Sequence, residues 1–120
     1  MDEFEELVEQ VVDSLPKELL ETLENVAFVV EERPDPNDLA EMDEPPDVEL
    51  YGLYVGIPIS QRHSAYSLVL PDRIAIYRSA LRRDFPGTDA LREQIRRTLL
   101  HEIGHALGMG HDKLAEFGLA

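Results

Sequence analysis

Toward its end the chain reads His101-Glu102-Ile103-Gly104-His105-Ala106-Leu107-Gly108-Met109-Gly110-His111-Asp112. An α-helix turns once in about 3.6 residues, so His101 and His105 stack one turn apart on a single face. Two neutral imidazoles placed in that way can converge on one divalent cation, and zinc suits them well. Glu102 follows the first histidine by one residue, which puts its carboxylate beside such a metal as a base for metal-bound water rather than as a ligand. Gly108 stands where the helix must stop, because glycine tolerates the left-handed conformation that reverses the chain. With Gly110 adding freedom, the turn can return His111 as a third ligand. From average composition, a His-Glu-x-x-His match arises by chance in roughly one chain of this length in a few hundred. The fixed positions of Gly108 and His111 make coincidence rarer still.

Upstream, Leu91, Ile95, Leu99, Ile103 and Ala106 form a buried stripe at helical spacing. Thr88 is expected to cap this long helix after the break at Pro86-Gly87. A short helix is expected around Ser79 to Asp84. Asp72-Arg73-Ile74-Ala75-Ile76-Tyr77-Arg78 alternates as a strand with Ile74 and Ile76 on the core face. Leu50 to Gly56 reads as a second strand weakened by its glycines, and Ser60 to Tyr66 as polar loop. Val26 to Val30 is β-branched and aromatic and reads as a buried strand.

Between these strands, residues 31–49 hold nine acidic side chains, one arginine and four prolines. That composition describes a solvated excursion with one helical turn around Asp38 to Met42, or else a lid over a cleft. At the start of the chain, Phe4, Leu7, Val8, Val11 and Val12 mark an amphipathic helix. Ser14 and Pro16 restart the chain into a second short helix that turns Leu19, Leu20 and Leu23 inward. A last helical turn or two is expected over 112–117. The order of elements implies an α+β fold, with helices packed on a small sheet, and the 120 residues suit one domain spanning 1–120.

Composition narrows the chemistry. The chain has no cysteine, so a metal must be held by nitrogen and oxygen. Its formal net charge of −14 disfavours nucleic acid and anionic membranes as partners and mildly favours cationic substrates. The acidic opening, MDEFEELVEQ, lacks the features of a secretory signal, and no apolar run approaches a membrane span; the expected location is cytoplasmic.

Other residues carry weaker signals. Asp112 could replace His111 at the metal, orient an imidazole, or cap the last helix. His63, beside Arg62, could stabilise an oxyanion or simply be solvated. Tyr51, Tyr54, Tyr66 and Tyr77 are each candidate donors to a tetrahedral intermediate or packed aromatics. The arginines between Arg73 and Arg97 are expected to line solvated faces and offset the acidic segment.

Three further stretches, Tyr51 to Pro58, Leu70 to Arg78, and Arg96-Arg97-Thr98-Leu99-Leu100 running into His101, together with Leu114 to Gly118, resemble the compact zincin-like metallopeptidases of bacteria. The resemblance covers most of the chain after about residue 15. It implies a minimal zincin-like fold, in which a small mixed β-sheet packs with an active-site helix and short flanking helices. It also implies a zinc metallopeptidase acting on peptide or unfolded protein. Members of that family often carry Asp where this chain has His111, whose spacing instead follows the longer pattern of metzincins. No methionine follows His111 to make a metzincin's methionine turn. The expected site is therefore zinc on His101, His105 and His111, with Glu102 as catalytic base and a peptide along the exposed sheet edge. The rival reading is a metal-stapled binding module with little or no turnover.

Overall fold

The computed structural model describes residues 2–23, 25–56 and 72–108. The expectations for Ser60 to Tyr66 and for 112–117 lie outside them. Helix α1 spans Glu3–Ser14. Asp2 caps it by accepting the Glu5 amide at 2.8 Å, and three glutamates in its first turn sit at the positive end of the helix dipole. Phe4, Leu7, Val8 and Val11 are buried, while Val12 lies half-buried at the edge of the stripe. Ser14 does not open the next helix, for its hydroxyl donates back to the Val11 carbonyl at 2.6 Å. Pro16 itself takes the cap position of α2, Lys17–Glu21. Leu19 and Leu23 are buried there and Leu20 is half-buried.

Three strands follow: β1 (Val26–Glu31), β2 (Gly52–Val55) and β3 (Asp72–Tyr77). They form a mixed sheet in the order β1-β3-β2, parallel between β1 and β3 and antiparallel between β2 and β3. The fold is α+β with a small mixed sheet, as the pattern of elements implied. One correction concerns β1, which is not a buried strand but, among the described residues, an edge strand, exposed at Ala27 and half-buried elsewhere. A β-branched apolar run reports a pleated surface against which something packs; it does not report rank within the sheet. The middle position belongs to β3, where Ile74, Ala75, Ile76 and Tyr77 are all fully buried.

The two faces of β3 serve different cores. Ile74 and Ile76 join the main core with α1, α2 and the stripe of the last helix. Ala75 and Tyr77 pack with Leu53 on the opposite face, against Val29, Leu50 and Val55. Residues 31–49 are not featureless, since α3 (Pro36–Glu41) starts at Asp35, whose carboxylate accepts the Asn37 amide at 2.8 Å. Leu39 anchors α3 at 1 % exposure. Arg73 of β3 reaches Asp38 of α3 and also Glu31 of β1, and Arg83 reaches Glu49. Arg73 and Arg83 thus offset the acidic segment, whereas Arg92 and Arg97 pair with Asp89 and Glu93 instead.

Helix α4 (Arg78–Asp84) runs straight on from β3. After Pro86 comes α5, Thr88–Ala106. Its cap residue is Gly87, not Thr88, which is the first helical residue and makes no side-chain capping bond. The expected stripe Leu91, Ile95, Leu99, Ile103 and Ala106 is buried throughout. Leu107 closes the helix and Gly108 reverses the chain at φ +69°. Among the described residues no helix is long and apolar enough to cross a membrane.

Candidate metal centre

The last turns of α5 bring His101, Glu102 and His105 together, with one ligand atom from each lying within 4.8 Å of the others. The two imidazoles are neighbours, with ring centroids 4.5 Å apart and planes at 60°. His105 Nδ1 lies 3.5 Å from Glu102 Oε1, and His101 Nε2 lies 4.0 Å from Glu102 Oε2. This is what one helical turn between the histidines dictates. Their exposure differs sharply from that of the carboxylate between them. The histidine side chains are 60 % and 52 % exposed, that of Glu102 only 8 %.

A buried carboxylate needs a partner, because desolvating an unpaired charge is costly. Glu102 finds one across the helix–sheet boundary: the backbone N–H of Tyr54, in β2, donates to Oε1 at 2.8 Å. Among the described residues no lysine or arginine pairs with Glu102. The Tyr54 phenol is engaged elsewhere, donating to Asp72 Oδ2 at 2.5 Å. Asp72 itself is 5 % exposed and lies beneath Gly56. Tyr54 therefore joins β2 to β3 through its side chain and β2 to α5 through its amide.

Two imidazoles open to solvent over a held carboxylate are a donor set that a borderline-soft divalent cation accepts, and the absence of thiolates points toward a nitrogen–oxygen site. The described residues thus fit a zinc-type metal. Beside His105 opens a cleft of about 480 Å³, lined by Asp38, Glu41, Met42, Tyr54, Val55, Gly56, His105 and Gly108. The acidic segment is consequently a wall of this cleft rather than a mere surface excursion. Met42 is the exposed large apolar side chain of the described surface, at 48 %.

Of the expected site residues, the structure joins His101, Glu102 and His105. His111, Asp112, His63 and Tyr66 lie outside the described residues. Tyr51 is turned away, its phenol bonded to Asp84 at 2.5 Å, and Tyr77 is buried with its hydroxyl unpartnered among the described residues. The sequence reading did not identify the amide of Tyr54 or the carboxylate of Asp72. Backbone donors leave no residue-type signature, and Glu102 lies 48 positions away from Tyr54.

The geometry agrees with what comparison finds. A family described as zincin-like metallopeptidase matches residues 23–119. Among solved structures, a conserved hypothetical protein from Thermus thermophilus is similar, with 24 % identity, 95 % of each chain covered and a TM-score of 0.54. At that identity the likeness shows a shared fold. No curated protein matches the chain.

Proposed function

The chain belongs to the zincin-like metallopeptidase family, and on that premise we propose that it is a zinc-dependent peptidase with Glu102 as its general base. Zinc would be held by His101, His105 and His111, and when bound it supplies Lewis acidity toward a peptide carbonyl and lowers the pKa of water. The single observation behind this reading is the convergence of His101, Glu102 and His105 within 4.8 Å beside a cleft.

Glu102 takes a proton from the attacking water as the water oxygen bonds to the carbonyl carbon. It then returns that proton to the amide nitrogen as the carbon–nitrogen bond breaks. The bond from Tyr54 occupies Oε1, which leaves Oε2 for the proton. Burial keeps the carboxylate in one orientation, so little reorganisation accompanies the transfer. The histidines, more than half exposed, face the side from which substrate arrives. Peptide or unfolded protein suits an open cleft beside β2, an edge strand among the described residues, where an extended chain gains backbone hydrogen bonds.

Glu102→Gln separates the two halves of this reading. The variant should retain zinc and lose hydrolysis, whereas His101→Ala or His105→Ala should lose zinc itself. Peptide-library digestion with matched metal analysis reads both. Wild-type cleavage by Glu102→Gln would remove Glu102 as base, and zinc retained without any cleavage by the wild type would leave a metal-stapled binding module.

A further inference from the structure

Two successive rungs link β2 to α5. Thr98 and Glu102 are four residues apart on the helix and so share one face. Gly52 and Tyr54 are two residues apart on the strand and so point to the same side. The upper rung is the Tyr54 amide on Glu102 at 2.8 Å. The lower rung is a contact with no room in it. A Cβ on Gly52 would sit 2.6 Å from Thr98 Cγ2, 3.1 Å from the Ala75 carbonyl oxygen and 3.3 Å from Ile76 Cδ1. Carbon atoms in ordinary contact stand about 3.5–4.0 Å apart, so any side chain here pushes strand and helix apart by about 1 Å. Thr98 has little space to yield, being 7 % exposed, and its hydroxyl accepts from Gln94 at 3.2 Å.

The strand's position gives this contact its meaning. Among the described residues β2 pairs only with β3. The carboxylate of Glu102 accepts from Tyr54 as the carbonyl of a further strand would. A hydrogen bond to a carboxylate is strong but short, and it weakens steeply with distance. It survives only if β2 lies close against α5.

We propose that Gly52 is a positioning residue for Glu102. Its missing side chain lets β2 approach Thr98 closely enough for the Tyr54 amide to hold the carboxylate in its working orientation. The inference rests on reading Glu102 as the base. It adds that the base is set by strand-to-helix distance and not by a side-chain partner.

The test compares zinc-loaded wild type with Gly52→Ala and with the double variant Gly52→Ala/Thr98→Ser, which removes the opposing methyl group and keeps the hydroxyl. Displacement of about 1 Å in a catalytic group costs about 100-fold in rate. For a fluorogenic peptide, Gly52→Ala should therefore lower kcat by that order, with KM and zinc content little changed. The Tyr54 amide proton should move upfield as its bond lengthens. The double variant should recover kcat and the amide shift together, a rescue that a merely structural glycine would not link to the base. Wild-type kcat and amide position in Gly52→Ala, or a double variant no better than the single one, would overturn the proposal.

Should Gly52→Ala fail to fold, the Tyr54 amide in Glu102→Gln decides. A neutral acceptor binds the proton more weakly, so the resonance should move upfield, and an unmoved resonance would refute the contact. That measurement needs no turnover. Failure of the peptidase reading, seen as no cleavage by zinc-loaded wild type, is thereby distinguished from failure of the positioning.

Discussion

Replacing Tyr77 with phenylalanine should make the protein more stable. Tyr77 is fully buried at the end of the central strand, and its hydroxyl has no hydrogen-bond partner among the described residues. Folding strips water from that hydroxyl and returns nothing, a cost of roughly 1–3 kcal/mol for a buried unsatisfied group. Phenylalanine keeps the ring that packs on Leu53 and Ala75 and removes the unpaired oxygen. Allowing for the small gap left behind, the expected gain is about 1 kcal/mol near neutral pH, or about 4 °C in Tm for a domain of this size. The effect should also depend on pH. Burial first, then the nearby carboxylates of Glu31 and Asp38, pushes the Tyr77 phenol far above its ordinary range. A group whose pKa is raised on folding keeps its proton in the native state while the unfolded chain loses it. Its contribution to stability is therefore intact below about pH 10 and declines as pH rises beyond that. By pH 11 the wild type should have lost roughly 1 kcal/mol through this group, a loss the variant does not share. The gap between the two proteins should thus widen to roughly 2 kcal/mol. Urea unfolding of both, followed by circular dichroism at neutral pH and at pH 10 to 11, measures each quantity. A variant less stable than wild type at neutral pH would show that the hydroxyl is satisfied, and a gap that stays constant with pH would show that the phenol is not buried as described; either result refutes the reasoning.

Other outcomes follow from the site and its supports. Tyr54→Phe removes the bond to the buried Asp72 carboxylate but keeps the backbone amide, so unfolding should cost roughly 1.5–3 kcal/mol less while zinc content is maintained; equal stability would place the phenol outside the network. Zinc held by imidazoles should be released as pH falls below about 6, because only neutral imidazole coordinates, and metal content unchanged at pH 5 would contradict a histidine site. Glu41 lines the cleft beside His105, so Glu41→Lys should reduce cleavage of peptides with basic side chains relative to neutral ones by roughly two- to fivefold. Paired fluorogenic peptides read that ratio, and an unchanged preference would place the basic side chain elsewhere.

Much of this molecule could be read before its structure. The stripe from Leu91 to Ala106 set the long helix, and the spacing of His101 and His105 set the two imidazoles on one face. Alternation through Ile74 and Ile76 set a strand. These signals are local and periodic, so neighbours in sequence carry them. The misreadings have two sources, the slack of a helix end and a partner remote in sequence. The cap of α5 fell on Gly87 instead of Thr88, a shift of one residue within the ordinary slack of helix ends. The rank of β1 in the sheet was hidden because an apolar run looks alike at an edge or in the middle.

The sequence by itself determined which chemistry is available: two imidazoles one turn apart, a carboxylate between them, no thiol anywhere, and a glycine that ends the helix. Helical geometry is the same in every protein, so spacing alone suffices for that. Only the tertiary structure decided how the carboxylate is held. The contact of Gly52 with Thr98 and the reach of the Tyr54 amide to Glu102 join segments dozens of residues apart. They depend on a distance between strand and helix that packing sets and no local pattern encodes.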